Sequence, residues 1–407
     1  MALRLLISGA SVAGNAAAWW LTRHGHDVTV IEKASGFRAD GQNIDVRGTG
    51  REVLRRMHLE QAALDRGTGE LGTAWVNEQG ETVAEFKAGD GKPDGPTAEM
   101  EILRGDLAKL LYEAVNAQAA YRFGETIAAV EEATGGVDIT FRGGAAERYD
   151  ALIVAEGVGS STREMLFPGE NDPRWMDLTT AYFTIPRAAD DDRMWRWFNA
   201  PGGRSVSLRP DNHGTTRAVL TIQQPSQGEQ DWSVDRQKAF LRERFDDAGW
   251  QAPRVLAGMN HTRDFYFDVL RQVRTKRWSS GRTVLLGDAA WCATPLAGIG
   301  ATLAITGAYV LAGELTHAAD TAAAFTHYER FMRPIVEKGQ DVPKIGPRLM
   351  HPRSRLGVHL LHGALSVASS HAMQEIAARF LTNSNDEVEL PNYELHATES
   401  SGGCGSS

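Results

Sequence analysis

Six residues near the amino terminus, Gly9-Ala10-Ser11-Val12-Ala13-Gly14, have the spacing of a loop that cradles phosphates. Gly9 permits the tight turn, a small residue at Ser11 lets backbone amides approach a pyrophosphate, and Gly14 lets the following helix pack closely on the preceding strand. The amino terminus of the helix that follows offers partial positive charge to the phosphates, and Val12 and Ala13 of the loop are expected to contact the same ligand. Glu32 comes 23 residues after Gly9, with Lys33 beside it. At that place a carboxylate accepts from ribose hydroxyls and repels a 2′-phosphate, which disfavours NADP in this site. Ser11 stands where a second glycine is more usual.

The glycine pattern alone does not separate NAD from FAD. Gly287-Asp288 does: it follows a short apolar run and precedes Thr294-Pro295-Leu296-Ala297-Gly298-Ile299-Gly300-Ala301 and a long apolar stretch. Asp288 can bond the hydroxyls of an extended ribityl chain, and a helix beginning near Gly300 would aim its positive end at an isoalloxazine. That end favours an anionic reduced flavin. NAD has no ribityl group to satisfy. Gly287, Asp288, Pro295, Gly298, Ile299, Gly300 and Ala301 are therefore expected to contact FAD.

The elements that must position these groups are legible nearby. Leu3 to Ser8 reads as a buried strand, Gly9 to Gly14 as a turn, Asn15 to His24 as a helix ending at Gly25, and Val28 to Ile31 as the next strand. Such a βαβ unit seeds a doubly wound parallel sheet. Leu103 to Val115 has helical periodicity. Ile127 to Val130, Val137 to Phe141, Ala151 to Ala155 and Thr283 to Leu286 read as strands, Gly300 to Leu315 as a helix, and residues 320 to 381 as mostly helical. Between Pro173 and Phe267 the segments become aromatic and alternating, which predicts an antiparallel sheet in a second domain.

The fold class expected is α/β: a Rossmann-like FAD-binding domain, a second α+β substrate domain on an antiparallel sheet, and C-terminal helices. The expected division gives residues 1–72, 97–172 and 268–335 to the first and 73–96 and 173–267 to the second. Helices then occupy 336–384, and 385–407 form a mostly disordered tail.

Composition narrows the function classes. The chain has 407 residues, 42% of them hydrophobic, which allows a sizeable core. A formal net charge of -9 gives no basis for gripping nucleic acid, whose phosphates demand a basic surface. Two cysteines, Cys292 and Cys404, exclude a disulfide framework and fit a reducing, cytoplasmic setting. The first twenty residues could pass for a secretory leader, but their small residues follow nucleotide-loop spacing. No apolar run of about 18 residues predicts a membrane span. The 12 histidines show no metal-ligand pairing, and His24 with His26 reads as a solvated pair, so no metal is expected.

The amino-terminal fingerprint, the segment Asp150 to Arg163 and the run GRTVLLGDAAWCATPLAGIG from Gly281 together resemble the class A flavoprotein monooxygenases, the p-hydroxybenzoate hydroxylase-like superfamily, over roughly residues 3 to 335. Gly41-Gln42-Asn43-Ile44-Asp45-Val46-Arg47-Gly48 and Arg104-Gly105-Asp106-Leu107 are most similar to the tetracycline-inactivating and antibiotic-tailoring members. The resemblance implies that Arg47 lies near the isoalloxazine, where it would act in catalysis, and that Arg104 lies near the phosphate or ribityl region. It also implies reduction of FAD by NADPH or NADH, reaction with dioxygen to a C4a-hydroperoxide, and transfer of one oxygen to substrate. Glu156 stands where the family usually has aspartate, Trp291 replaces a common histidine and Thr294 the first of two prolines. These departures bear on nicotinamide contact and on the substrate side. No second dinucleotide fingerprint and no CxxC pair support a disulfide reductase.

Trp195, Trp197, Phe265 and Phe267, with Pro295, are expected to line a pocket for a planar substrate. The two tryptophans resemble the pair of flavin-dependent halogenases, but MWRWFNAPG lacks that family's flanking Gly and Ile-Pro. Oxygen insertion into an apolar, aromatic or polyketide-type molecule is the function expected, with epoxidation and Baeyer-Villiger insertion open to the same chemistry. A flavin-binding protein that shelters a reactive intermediate, or an FAD-dependent dehydrogenase, are the alternatives. The expected partners are that small molecule and dioxygen, in a monomer or homodimer without stable membrane insertion.

Overall fold

The amino-terminal strand Arg4–Ser8 occupies the middle of a six-stranded sheet, which is why its Leu5, Leu6 and Ile7 are fully buried. A computed structural model describes residues 2–87, 100–343, 345–370 and 388–393. In sheet order the strands are Ser279–Ser280, Thr283–Leu285, Ala151–Val154, Arg4–Ser8, Asp27–Glu32 and Ala120–Phe123. All neighbours pair in parallel except the first two. Both faces of such a sheet are covered, so its strands are continuous apolar runs rather than alternating ones.

The helix Val12–Arg23 begins three residues earlier than its periodicity predicts, since Val12, Ala13 and Gly14 are already helical. It stops at His24 and Gly25, the latter at φ +82°. Its small residues Ala16, Ala17 and Ala18 are fully buried, and it packs against the helix Gly300–His317, where Trp20 meets Tyr309 at 4.7 Å between ring centroids. His24 and His26 correct the reading of a solvated pair: both are buried. The Leu3 amide donates to His26 Nδ1 at 3.1 Å, and His26 Nε2 lies 3.1 Å from Thr316 Oγ1. The chain reversal tucks them between the first strand and the end of the long helix.

The second sheet has seven strands in the order Tyr266–Gln272, Arg174–Pro186, Thr215–Gln223, Arg204–Pro210, Trp195–Ala200, Gly72–Val76 and Thr82–Lys87. It is antiparallel apart from the pair Trp195–Ala200 and Gly72–Val76. The expected boundary at 267/268 cuts through the strand Tyr266–Gln272, so this sheet continues to Gln272. Two helices not foreseen within 173–267, Val234–Phe245 and Ala252–Met259, cover one face. Their Leu241, Phe245, Val255 and Met259 join Phe183, Phe198, Leu208 and Leu220 in one apolar cluster.

Alternation along each strand sends the intervening residues to the opposite face. That face carries Thr180, Thr221, Ser207, Arg209, Trp195 and Trp197 and turns toward the first domain: Asn43 Nδ2 donates to the Pro210 carbonyl at 3.1 Å. The segment after the helix Thr321–Gln340 closes one end of it. Asn199 donates to the Met350 carbonyl at 2.8 Å, and His351 lies 3.2 Å from Ser205 Oγ and beside Trp197. The predicted helical stretch 320–381 is therefore interrupted around Pro343 and Pro352, before the helix Arg355–Ala368. Most of the tail expected to be disordered lies outside the described residues. Within it, residues 388–393 pack on the first domain, with the Pro391 carbonyl accepting from Tyr309 Oη at 2.6 Å and Tyr393 Oη donating to Glu314 at 2.8 Å. No helix is long and apolar enough to cross a membrane among the described residues.

Candidate functional site

The glycine loop is built without room for side chains. A Cβ on Gly9, which sits at φ +113°, would lie 2.4 Å from the Ala155 carbonyl oxygen, and one on Gly14 would lie 1.9 Å from that of Gly9. Strand, turn and helix can meet this closely only with hydrogen at both positions. Glu32 is fixed beside the loop by two backbone donors, Ala10 N at 3.1 Å and Ala34 N at 3.0 Å, while Lys33 next to it is exposed. Its remaining lone pairs are free in direction to accept from a ribose.

Three distant segments meet on this loop. Gly287, at φ +64°, approaches Ala13 so closely that a Cβ would sit 2.9 Å from the Ala13 methyl. Arg104 lies across the cleft mouth, 3.4 Å from Ser11 Oγ and 3.2 Å from the Asp40 carbonyl oxygen. Asp288 is reachable by solvent yet enclosed by protein, the condition of a group at the bottom of a cleft. That enclosure pushes its carboxyl above the ordinary range, and the charge of Arg104 and a hydrogen bond with Cys292 oppose the rise only in part. A ligand with hydroxyl donors would complete such a site, as a ribityl chain does. Cys292 is buried, and burial followed by the charge of Asp288 pushes its thiol well up, so it stays protonated and unreactive.

The loop of Arg47 docks on the start of the helix Gly300–His317. The Arg47 amide donates to Thr302 Oγ1 at 2.9 Å, and its guanidinium pairs with Asp45 at 2.8 Å. Gly298, left-handed at φ +65°, ends the short turn Pro295–Ala297 within reach of Asp45. Pro295 is exposed, and Gly298, Ile299, Gly300 and Ala301 are half-buried, so the first turn of the helix opens into the same cleft. Thr294 is a buried β-branched residue at φ +80°, and its hydroxyl has no partner among the described residues. This is a strained backbone of the kind that persists where surrounding structure over-determines it.

The other departures have structural explanations. Glu156 accepts from Ser8 Oγ at 2.6 Å, Ser160 Oγ at 2.7 Å, Thr162 Oγ1 at 2.6 Å and Thr162 N at 3.0 Å, bracing the first strand against the helix Ser161–Leu166. Trp291 lies in the core against Trp278 and Tyr328, with ring centroids at 4.4 and 5.8 Å. It does not shape the substrate side.

The four aromatic residues expected to line a pocket divide. Trp195 and Trp197 lie on the sheet face turned to the first domain, their rings 5.2 Å apart, with Trp75 stacked at 6.0 Å from Trp197. Phe267 joins the apolar cluster under the two covering helices, and Phe265 packs beside it against Phe183 at 6.0 Å. Phe267 is corrected to a core position and Phe265 to the half-buried edge of that core, because Phe267 has the opposite parity from Tyr266 and Asp268 on its strand. Tyr266 Oη donates to Asp268 at 3.1 Å, and Tyr182 stands 6.2 Å from the Tyr266 ring. Burial and the Asp268 charge push both phenols up, so they remain hydrogen-bond donors at neutral pH.

Arg209 was not singled out from sequence. It stacks 4.1 Å above Trp195 and pairs with Glu70 and, across the domain junction, with Glu101. The signal was present: Val206 and Leu208 are apolar at alternate positions, which forces Ser207 and Arg209 to the other face.

The comparisons agree with this geometry. The sequence profile of a family described as FAD binding domain matches residues 3–342. The FAD-dependent monooxygenase asL4 of Sarocladium schorii is 32% identical over 421 residues, covering 96% of this chain and 98% of that protein. The monooxygenase CTB7 of Cercospora beticola is 34% identical, again over 96% of this chain and 98% of the relative. The crystal structure of the tetracycline destructase Tet(51) superposes with a TM-score of 0.81 at 27% identity, covering 97% of this chain and all of that one. This chain belongs to the FAD-binding-domain family and is an FAD-dependent monooxygenase of the class A flavoprotein type.

Proposed function

We propose that the enzyme takes reducing equivalents from NADPH or NADH and inserts one atom of dioxygen into an apolar, ring-containing small molecule of aromatic or polyketide type. The observation that carries this reading is the facing of two surfaces. One is the Trp195, Trp197 and Arg209 face of the sheet; the other is the Arg47 loop with the open first turn of the helix at Gly300. FAD, when bound, supplies the activation of dioxygen.

The chain's own residues do the rest. Gly9, Ser11, Val12, Ala13 and Gly14 would accept the pyrophosphate, Glu32 the adenosine ribose with Lys33 at its edge, and Asp288 and Arg104 the ribityl and phosphate region. Arg47, held at both its amide and its guanidinium, would stabilise negative charge on the reduced ring and help exclude water. Trp195 and Trp197 would hold a planar substrate against Pro295 and the Gly298 turn. Burial keeps the Cys292 thiol protonated, which disfavours its attack on a flavin and supports a cofactor held without a covalent bond.

The test is a screen of aromatic polyketides and tetracyclines with purified yellow holoenzyme. Substrate-stimulated NADPH oxidation and a product heavier by one oxygen atom are expected. Turnover that continues without dioxygen would show a dehydrogenase instead. Flavin remaining in the pellet after acid precipitation would overturn the non-covalent assignment.

A further inference from the structure

The strand Arg174–Pro186 begins irregularly. Trp175 pairs with Arg271 and Thr179 with Val269, so that Met176, Asp177 and Leu178 together oppose Leu270 alone. This bulge holds Asp177 at φ +53°, a left-handed conformation that residues other than glycine rarely adopt. The segment 345–353 crosses this end of the sheet, and between the two lie adjoining pockets of about 500 and 390 Å³ that share Asp177 and Arg348. Each has the size of a small-molecule site.

The lining has a consistent chemistry. Arg174, Arg348 and Arg353 stand in it against one acid, Asp177, among the described residues, although the chain as a whole carries a net charge of -9. Most of the arginine donors are unspent. Arg174 Nη2 donates to the Val342 carbonyl at 2.7 Å, Arg353 Nε donates to Gln223 Oε1 at 3.3 Å, and Arg348 meets Asp177 only at 3.6 Å. No carboxylate pairs with Arg174 or Arg353 among the described residues. Trp175 is 38% exposed in the same pocket, steadied by the Arg271 guanidinium 5.2 Å from its ring centroid, with Ile345 and Pro347 in the same wall. A flat ring, apolar neighbours, free guanidinium groups and one accepting carboxylate suit a base that carries phosphates. Asp177 could accept from the amine or hydroxyls of such a molecule, which a bare phosphate does not have.

We propose that this pocket docks the adenosine end of the nicotinamide reductant, with adenine on Trp175 and the 2′-phosphate of NADPH on Arg348 and Arg353. The reductant's identity rests on the monooxygenase reading above; the nucleotide site does not. The chain has one glycine fingerprint, assigned to FAD, so a second dinucleotide must be held by side chains rather than by another phosphate loop. The pocket is also next to the flavin cleft. Arg174 lies in register with Gln272, whose Nε2 donates to the Ala293 carbonyl at 3.3 Å. One interstrand spacing, about 5 Å, and one side chain therefore separate it from the Thr294 and Pro295 turn that opens into that cleft. Three arginines against one acid favour the extra phosphate, which NADH lacks.

The probe is adenosine 2′,5′-bisphosphate, which cannot reduce flavin, titrated by calorimetry into the FAD-loaded enzyme beside 5′-AMP and inorganic phosphate. The bisphosphate should bind, and 5′-AMP should bind about tenfold more weakly. Arg348→Ala, Arg353→Ala and Trp175→Leu should each weaken the bisphosphate by about tenfold, the loss of one phosphate contact or one stacked base. Flavin content and Tm show that the variants are folded. In anaerobic flavin reduction the NADPH Kd of Arg348→Ala should rise by the same factor and the NADH Kd by much less. Bisphosphate binding that all three substitutions leave unchanged overturns the site, even where NADPH reduces the flavin. Inorganic phosphate bound as tightly as the bisphosphate overturns the nucleotide assignment. Flavin that NADPH does not reduce, in an enzyme whose bisphosphate binding falls in the variants, overturns the reductant reading and leaves the nucleotide site standing.

Discussion

Replacing Glu156 by alanine should loosen the nucleotide loop from behind without touching any ligand. Its carboxylate receives four hydrogen bonds at 2.6 to 3.0 Å from Ser8, Ser160 and Thr162, residues with at most 5% exposure. A hydrogen bond to a charged group is worth roughly 1.5–3 kcal/mol, so simple addition would give about 6–12 kcal/mol. That sum overstates the effect, since bonds to one acceptor are not additive and the half-buried carboxylate regains hydration when its partners leave. A loss of about 3–4 kcal/mol is therefore expected, the range of a broken buried network. Because Gly9 rests on the Ala155 carbonyl, the loop should shift and FAD content should fall as well. Glu156→Asp, one methylene shorter, cannot reach both Ser8 and Thr162 and should lose about half as much. Urea unfolding followed by tryptophan fluorescence, with flavin content after dialysis, measures both effects. Glu156→Ala with stability within about 0.5 kcal/mol of the parent and full flavin would refute the reasoning.

Asp288→Ala should lower FAD affinity tenfold to a hundredfold, the loss of about 1.5–3 kcal/mol from a charge-assisted bond, read by equilibrium dialysis. Arg47→Ala should keep FAD but release a larger share of reducing equivalents as hydrogen peroxide, measured by a coupled peroxidase assay; unchanged coupling would remove Arg47 from the site. Trp195→Ala should raise KM for a ring substrate, whereas Phe267→Leu should lower stability by about 1 kcal/mol and leave KM alone, separating the two sheet faces. Burial lowers the His351 imidazole to about 4, so the folded protein binds fewer protons than the unfolded chain between pH 6.5 and 4. Stability from this group is present above 6.5 and lost as pH falls through that window. His351→Gln should shrink the decline in Tm there, and an unaltered profile would count against it.

What was legible in sequence was local and steric. Gly9, Gly14 and Gly287 stand where a Cβ would collide with backbone or an alanine methyl, and such constraints leave fixed spacings. What was hidden was relational. Phe267 and Trp195 look alike as aromatic strand residues, and only the partner layer decides which face is core. Glu70, Glu101 and Arg209 are far apart in sequence, and nothing local to any of them announces the others. The helix Val234–Phe245 was missed beneath a sheet-like composition, although Ser233, whose side chain accepts from the Arg236 amide, is an N-cap signal. His24 and His26 looked polar enough for solvent, but the return of the chain against Thr316 buried them.

The interleaved order of the central sheet also sets a timetable for synthesis. The strand Arg4–Ser8 is made well before its partner Ala151–Val154, which follows more than a hundred residues later, and Thr283–Leu285 comes later still. The intervening antiparallel layer can pair its own hairpins as they appear, because Trp195–Ala200, Arg204–Pro210 and Thr215–Gln223 are consecutive neighbours. Arg4–Ser8 can pair early with Asp27–Glu32, but its other edge stays open until Ala151–Val154 is made, and the helix Val12–Arg23 stays partly uncovered until the helix Gly300–His317 arrives. Residues 388–393 then seal the far side of that helix through Tyr309, Glu314 and Arg56. The helix Val12–Arg23 and residues 388–393 are thus fastened to the same helix, which must be in place before either is fully covered.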